Sequence, residues 1–311
     1  MNNTNTQTSS SRGSDSRVVL SGIIAYPITP FTTGEGSIDA PRLRQVLDRL
    51  LATGCDAIAP LGSTGESAYL DDDEWDEVAE VSVKHVAKRV PTVVGISDLT
   101  TKNAIRRARF AESVGADAVM VMPMSYWKLS ESEIVRHYAK ISESIGIQIM
   151  VYNNPATSGV DMRPELIARM VRDLANVTMV KESTGDLQRM HKLSQLSDGA
   201  IRMYNGSNPL ALGAFAAGAV GWCTAAPNLI PTLPKRLHRA IADGNLNEAR
   251  SVFYRQLPLL QFIVQGGLPT TIKGGLRLLG FDAGVPREPL QPMTPEATSE
   301  LKAILDRVEG G

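Results

Sequence analysis

Short apolar, β-branched runs alternate with longer stretches of helical period from Ile23 onward. Runs of this kind, bounded by turn residues, are typical of buried strands, and each is followed by enough chain for one helix. The predicted strands are 23–26, 57–60, 92–96, 118–122, 148–152, 177–181, 202–204 and 220–224. Eight strand–helix units predict an α/β fold that closes into a (β/α)₈ TIM barrel, rather than an open doubly wound sheet.

The helical stretches have recognisable starts and apolar faces. Asp71–Glu74 place negative charge at the positive end of the next helix, and Pro164 stands where another helix can begin. The predicted inward stripe of the first of these helices is Trp75, Val78, Ala79, Ser82 and Val86. Beyond the eighth strand, helical period around 246–264, 270–279 and 295–308 predicts a C-terminal helical appendage.

Three segments follow from this pattern. Residues 1–17 are dominated by Asn, Thr, Ser and Gln, so we expect a disordered tail that buries too little surface to fold. Residues 18–232 form the predicted catalytic barrel, and 233–311 form the last barrel helix and the C-terminal helical region. A length of 311 residues is ordinary for one barrel and demands no second domain.

Composition narrows the classes of partner. The chain carries 32 basic and 33 acidic residues with no long block of one sign, which argues against a nucleic-acid partner. No apolar run is long enough to span a membrane, so we expect a cytoplasmic protein with a small-molecule partner. Cys55 and Cys223 form no CxxC pair and are expected to be small core residues in a reducing compartment. The four histidines fall in predicted helices without metal-ligand spacing, so no metal site is predicted.

Candidate chemistry lies at the strand ends, where barrels of this type carry their reactive groups. Lys181 ends the sixth strand, and burial of an amine there disfavours its charged form and yields a nucleophile that attacks ketones. Tyr152 ends the fifth strand, about one strand–helix unit earlier, where a phenol could shuttle protons. The alternatives are a lysine that snorkels to water and a tyrosine that only packs.

A second candidate feature is the turn Gly62-Ser63-Thr64-Gly65-Glu66 after the second strand. Its two glycines let backbone N–H groups converge beside two hydroxyls, an arrangement that can hold a carboxylate or a phosphate. An ordinary tight turn has the same local sequence. The loops Gly206–Asn208 and Gly221–Ala225 occupy the position at which many barrels bind phosphate, which leaves a phosphate-binding enzyme open as a hypothesis.

Taken together, Gly62–Glu66, Tyr152-Asn153 with Pro155, and Lys181-Glu182-Ser183-Thr184-Gly185-Asp186 resemble the dihydrodipicolinate synthase / N-acetylneuraminate lyase superfamily. The likeness runs from about Gly22 to Leu305 and includes Pro269, Lys273, Leu276 and Gly280. It implies class I aldolase chemistry, with a lysine imine formed with pyruvate or a longer 2-keto acid and no separate cofactor. It also implies a homotetramer.

The resemblance assigns roles to individual residues. Lys181 would form the imine and Tyr152 would be the acid/base. Ser63 would link Tyr152 to Tyr126 in a proton relay, and Thr64, beside Gly65, would hold the keto-acid carboxylate. Tyr126 corresponds to a tyrosine that relatives lend across a subunit interface, although its loop, 123–130, is one residue longer than is usual in the family.

Two departures concern the substrate. Dihydrodipicolinate synthases resemble one another in an arginine at the position of Thr157, and sialic acid lyases carry an acidic pair where this chain has Asn208 and Pro209. Thr157 with Gly206, Ser207 and Asn208 would therefore present neutral groups, suited to a 2-keto-3-deoxy sugar acid, with Arg163 the candidate for a replacement charge. The alternatives are a 4-hydroxy-tetrahydrodipicolinate synthase, a sugar-acid dehydratase and a non-catalytic anion-binding barrel.

Overall fold

Eight short parallel strands form a closed inner wall in the structure, a computed structural model that describes residues 18–34 and 36–310. The strands are β1 (Gly22–Ala25), β2 (Ala57–Ile58), β3 (Val93–Gly95), β4 (Ala118–Val121), β5 (Gln148–Asn153), β6 (Val177–Glu182), β7 (Arg202–Asn205) and β8 (Gly221–Thr224). β1 pairs with both β2 and β8, and the other strands pair in chain order. A parallel bridge between Ile58 and Thr92 joins β2 to β3 and completes the predicted barrel.

Helices follow the strands around the outside of this wall. They are α1 (Ala40–Ala52), α2 (Asp72–Val86), α3 (Thr101–Ser113), α4 (Glu131–Ser142), α5 (Pro155–Ser158), α6 (Pro164–Asp173), α7 (Leu187–Leu196), α8 (Ala211–Ala216), α9 (Leu233–Ala242), α10 (Leu246–Gly266), α11 (Leu268–Leu278) and α12 (Pro295–Gly310). None of the helices within the described residues is long and apolar enough to cross a lipid bilayer.

The starts of these helices have local physical causes. Asp71 caps α2 by accepting a hydrogen bond from the Glu74 N–H, and the Glu74 carboxylate accepts one from the Asp71 N–H. The predicted apolar stripe of α2 is buried. α6 begins at Pro164, as predicted, because proline fits the first helical turn, where no N–H is needed. The strands that the helices cover are almost wholly buried, so the barrel interior is a packed core and open space lies at its ends.

The predicted C-terminal helices are present as α10, α11 and α12. α11 packs against the turn that follows β2, where the Lys273 ammonium lies 2.6 Å from the Glu66 carboxylate, in the geometry of an ion pair rather than a directed hydrogen bond. Both side chains are almost fully buried, and the Arg287 N–H donates to the second carboxylate oxygen at 2.7 Å. The appendage is thus tied to a loop of the barrel mouth. The division of the chain at 232 stays a prediction, and the predicted tail, 1–17, lies outside the described residues.

Candidate active site

A cavity of about 370 Å³ opens at the carboxyl ends of the strands. Of the residues predicted from sequence, the following line it: Ser63, Thr64, Tyr152, Thr157, Lys181, Gly206, Ser207 and Asn208. A larger groove of about 810 Å³ lies between the loop before α1 and the loop after α11. Its arginines are engaged, since Arg277 pairs with Asp282 and Arg287 with Glu74. The smaller cavity therefore carries the candidate chemistry.

Lys181 is buried at the centre of this cavity. It lies on β6 in register with Tyr152 on β5, so the two side chains leave adjacent strands at the same height. The Lys181 ammonium nitrogen lies 3.8 Å from the centroid of the Tyr152 ring and 4.2 Å from that of Tyr26, which directly follows β1. The buried amine is thus held between two phenol rings.

The two phenols differ in their surroundings. Burial alone would raise the pKa of Tyr152, but the Lys181 charge and hydrogen bonds from Asn154, Ser63 and Lys181 outweigh it and lower that pKa. Burial raises the pKa of Tyr26 well above its ordinary value, and the neighbouring Cys223 and Tyr152 add to the rise. The Tyr26 hydroxyl donates to the Met120 sulfur at 3.1 Å. Environments that give two phenols different pKa values are typical of groups with separate chemical roles.

The turn after β2 faces the same cavity. Ser63–Gly65 form a short 3-10 turn, and Glu66 closes it in the left-handed region at φ 57°. The backbone N–H groups of Ser63 and Thr64 make no hydrogen bond to the described residues, whereas the Gly65 N–H donates to the Gly62 carbonyl at 3.0 Å. Ser63 and Thr64 can therefore hold an anion, while Gly65, predicted to touch substrate, is buried outside the cavity lining.

The model of the dihydrodipicolinate synthetase family matches residues 19–308. The chain belongs to this family. A 4-hydroxy-tetrahydrodipicolinate synthase of Thermomicrobium roseum is 34% identical over 92% of this chain and 94% of its own length. The corresponding enzyme of Syntrophus aciditrophicus is 32% identical over 92% of this chain and 98% of its own length.

Solved structures give the same assignment. A protein of Pseudomonas aeruginosa, provisionally described as a dihydrodipicolinate synthetase, is 58% identical with a TM-score of 0.92, covering 93% of this chain and all of its own. YagE, a prophage protein of this family from Escherichia coli K12 solved with pyruvate, is 26% identical with a TM-score of 0.88, covering 94% of this chain and 99% of its own. The predicted family and the predicted TIM barrel are confirmed.

In this member of the family, Gly206 leaves room for the reactive groups. A methyl group at that position would lie 1.8 Å from the Ser183 hydroxyl and 2.9 Å from the Lys181 side chain. The Ser183 hydroxyl is itself buried and has no hydrogen-bond partner among the described residues. It is a donor available to a ligand in the cavity.

The loop after β7 supplies fewer free groups than its sequence indicates. The Asn208 side-chain oxygen accepts a hydrogen bond from the Trp222 indole at 3.2 Å, which occupies one of its two lone pairs. The Ser207 backbone is held on both sides by the Asn205 side chain, which leaves the Ser207 hydroxyl facing the cavity. Both residues remain candidates for substrate contact.

Tyr126 lies outside the cavity. Its side chain is 94% exposed, and the neighbouring Trp127 is 79% exposed, on the loop between β4 and α4. The single chain therefore does not bring Tyr126 to Ser63, and its predicted relay role depends on a second subunit. Arg163, the candidate for a replacement charge, is exposed and pairs with Glu131 at 2.6 Å, so it does not supply one.

Sequence reasoning missed the lining residues Tyr26, Asn154 and Ser183. Their common signal is position, since each ends a barrel strand or follows it directly. Cys223 was expected to be a core residue. It is buried, but it also faces Lys181, and burial raises the pKa of its thiol although the Lys181 charge and a hydrogen bond with Tyr26 oppose the rise.

A buried polar network beneath the strand ends was also missed. The Glu182 carboxylate accepts hydrogen bonds from the Thr184 N–H at 2.8 Å and from the Asn153 amide at 3.2 Å, and Arg189 pairs with it at 3.3 Å. Glu182 directly follows Lys181 in the chain, and Asn153 directly follows Tyr152. The network holds β5 and β6 in the register that places Tyr152 beside Lys181.

Proposed function

We propose that this protein is a class I lyase that forms an imine between Lys181 and pyruvate or a longer 2-keto acid. The observation that carries the proposal is the buried Lys181 amine between the rings of Tyr152 and Tyr26. Family membership supports the same chemistry, and YagE has been solved with pyruvate. Mere anion binding would not require an amine to be buried beside two phenols.

The reaction begins when the Lys181 nitrogen attacks the keto carbon. A C–N bond forms, the carbonyl electron pair moves to oxygen, and that oxygen takes a proton. The nitrogen gives up a proton and the carbinolamine hydroxyl takes a second one, so that the C–O bond breaks, water leaves and the nitrogen lone pair completes the protonated imine. This imine serves as an electron sink for breaking or forming the adjacent C–C bond. Tyr152 is the proposed proton carrier for these steps, because it is the phenol whose environment favours ionisation.

The substrate carboxylate is proposed to bind at the turn after β2. The N–H groups of Ser63 and Thr64 have no hydrogen-bond partner among the described residues, and both residues line the cavity. Binding there would place the keto carbon toward Lys181. The lysine is the covalent partner, so the proposed chemistry uses no external cofactor.

The substrate class follows from charge. Lys181 is the only charged side chain among the residues that line the cavity. Once it is consumed in the imine, the far end of the cavity offers the neutral groups of Thr157, Ser183 and Ser207 and no partner for a second carboxylate. We propose a 2-keto-3-deoxy sugar acid, or pyruvate with a short hydroxyaldehyde, as the substrate. A dehydratase acting on such an acid would use the same imine.

A second candidate is 4-hydroxy-tetrahydrodipicolinate synthase. Curated relatives with 30–34% identity carry that name, which favours condensation of pyruvate with aspartate semialdehyde. The neutral lining at Thr157 favours the sugar-acid proposal instead. A comparison of kcat/KM for the two reactions separates them, and efficient dihydrodipicolinate formation would reject the sugar-acid proposal.

The imine itself is tested by borohydride trapping. Incubation with pyruvate and borohydride should add one pyruvyl group per chain, located on Lys181 by peptide mass spectrometry. Lys181→Ala should remain folded and lose the label. A folded wild-type sample that stays unlabelled at high pyruvate would reject the imine and with it the proposed function.

A further inference from the structure

We propose that Asn154 is a positioning residue that donates its side-chain amide to the Tyr152 hydroxyl and thereby selects Tyr152, rather than Tyr26, as the proton carrier. This inference rests on the proposed function of the cavity. The Asn154 amide nitrogen lies 2.9 Å from the Tyr152 oxygen. Nothing in the assigned roles of Lys181, Tyr152 or Ser63 requires an amide donor at this position.

The backbone of Asn154 is held firmly, so its side chain has a fixed origin. Asn154 directly follows β5 and precedes Pro155, which restricts its backbone to extended conformations. Its carbonyl oxygen accepts hydrogen bonds from the N–H groups of Thr157 at 3.1 Å and Ser158 at 3.0 Å. The Ser158 hydroxyl donates to the same oxygen at 3.1 Å. The amide is therefore aimed by the short helix α5.

An N–H donor at a phenol oxygen stabilises the ionised form more than the neutral form. Tyr26 has the opposite arrangement, because its hydroxyl donates to the Met120 sulfur and no amide donates to it among the described residues. Asn154 thus adds to the asymmetry of two phenols that flank the same amine. Tyr152 can then pass its proton to the departing oxygen and regain one later.

Other groups near Tyr152 also influence its ionisation. Lys181 approaches from β6 with a positive charge, and Tyr26 approaches from β1. Ser63 is the neutral neighbour from the turn after β2. Cys223, on β8, interacts with Tyr26 and Lys181. Variants of Asn154 leave all four groups in place, so their effects report the change made at position 154.

The test is an ultraviolet titration of tyrosinate in the resting enzyme. The Tyr152 step is isolated as the difference between each protein and its Tyr152→Phe counterpart. Asn154→Leu should move this step upward by about 0.4–1.1 pH units, the equivalent of one neutral hydrogen bond. Asn154→Asp, which keeps the shape and adds a negative charge, should move it further upward. The limb of the kcat profile that depends on Tyr152 should move in the same direction.

Thr157→Val is the matched control, since Thr157 lines the same cavity without a hydrogen bond to the Tyr152 oxygen. It should change kcat/KM without moving the tyrosinate step. The proposal is overturned if the step stays in place in both Asn154 variants. It is equally overturned if the step moves downward, because the amide oxygen would then be accepting from the phenol. Borohydride trapping of the wild type reports separately on the proposed function.

Discussion

At the scale of single residues, the space around Lys181 depends on Gly206, which has no side chain. Gly206→Ala would force a methyl group against Ser183 and Lys181. We expect borohydride labelling by pyruvate to fall by about 100-fold, since a displacement of about 1 Å at a reacting group has this effect. The measurement is the labelling rate by mass spectrometry. Gly310→Ala, where the added methyl group meets nothing within 4 Å, is the control and should label normally.

Tyr152→Phe separates the nucleophile from the proton carrier. The variant keeps the ring beside Lys181 and removes the hydroxyl, so we expect some imine formation to survive. Turnover should fall by about 10²–10⁴, the usual contribution of a positioned acid or base. Single-turnover trapping and steady-state kcat check the two expectations. An unchanged kcat would assign the proton transfers to another group.

Residue roles were predictable to the extent that they follow from strand ends. Lys181 and Tyr152 were found because each closes a buried apolar run, and their adjacency follows from parallel pairing. The donor role of Asn154 was not predictable, because it depends on the direction of a side chain after a tight turn. The exposure of Tyr126 was also beyond a single sequence, since its predicted partner lies in another subunit.

At the scale of elements, α4 carries a half-buried histidine, His137, with an incomplete set of partners. The His137 Nδ1 atom lies 3.0 Å from the Thr101 hydroxyl, and its Nε2 atom is buried with no partner among the described residues. Burial lowers the pKa of His137 below its ordinary value of 6.5, although the Asp98 carboxylate opposes the shift. The unfolded chain therefore takes up the proton first.

Stability should consequently fall as pH drops through 6.5, and level off below the folded-state pKa of His137. His137→Gln should flatten this dependence in urea unfolding compared between neutral and mildly acidic buffer. Part of the pH dependence should remain in this variant, because burial also lowers the pKa of His238. His191→Gln, in exposed sequence on α7, is the control. An equal slope in His137→Gln and the wild type would contradict the expectation.

Strand existence was predictable, whereas strand ends were less so. All eight predicted runs are strands, because β-branched runs between turns have little alternative in a buried layer. β2 is shorter than predicted, ending at Ile58 rather than at 60, because the chain turns at Leu61 through a positive φ of 59°. The two 3-10 turns that follow were not predicted, and one of them carries Ser63 and Thr64.

At the scale of the whole molecule, the buried Glu66–Lys273 pair joins the appendage to the barrel mouth. Lys273→Met should destabilise the protein by about 3–5 kcal/mol, because it leaves the buried Glu66 charge without its ion-pair partner. It should also raise the KM for pyruvate, since Glu66 closes the turn of Ser63 and Thr64. Urea unfolding and steady-state kinetics measure both effects.

The matched variant is Glu66→Gln combined with Lys273→Met. Removing both charges should cost less stability than Lys273→Met alone, because neither charge is then left unpaired. If the double variant were no more stable than the single one, the loss would be attributed to packing rather than charge. Lys273, which matches the family's C-terminal helix, would then stabilise the protein through its packing and not through its charge.

Assembly is the other expectation at this scale. We expect a homotetramer in which a neighbouring subunit covers the exposed loop of Tyr126 and Trp127. Light scattering at the enzyme concentration used for assays measures the mass. A fully active monomer would remove Tyr126 from the proposed relay.

Closure of the barrel between its first and last strands also has a consequence during synthesis. Ala25 on β1 is paired with Thr224 on β8, 199 residues later in the chain (224 − 25). At a translation rate of about 5–20 residues per second, one edge of β1 waits roughly 10–40 s for its partner to leave the ribosome. An unpaired apolar strand edge invites association with other nascent chains. Recombinant yield should therefore respond to elongation rate and chaperone supply more than to the stability of the finished barrel.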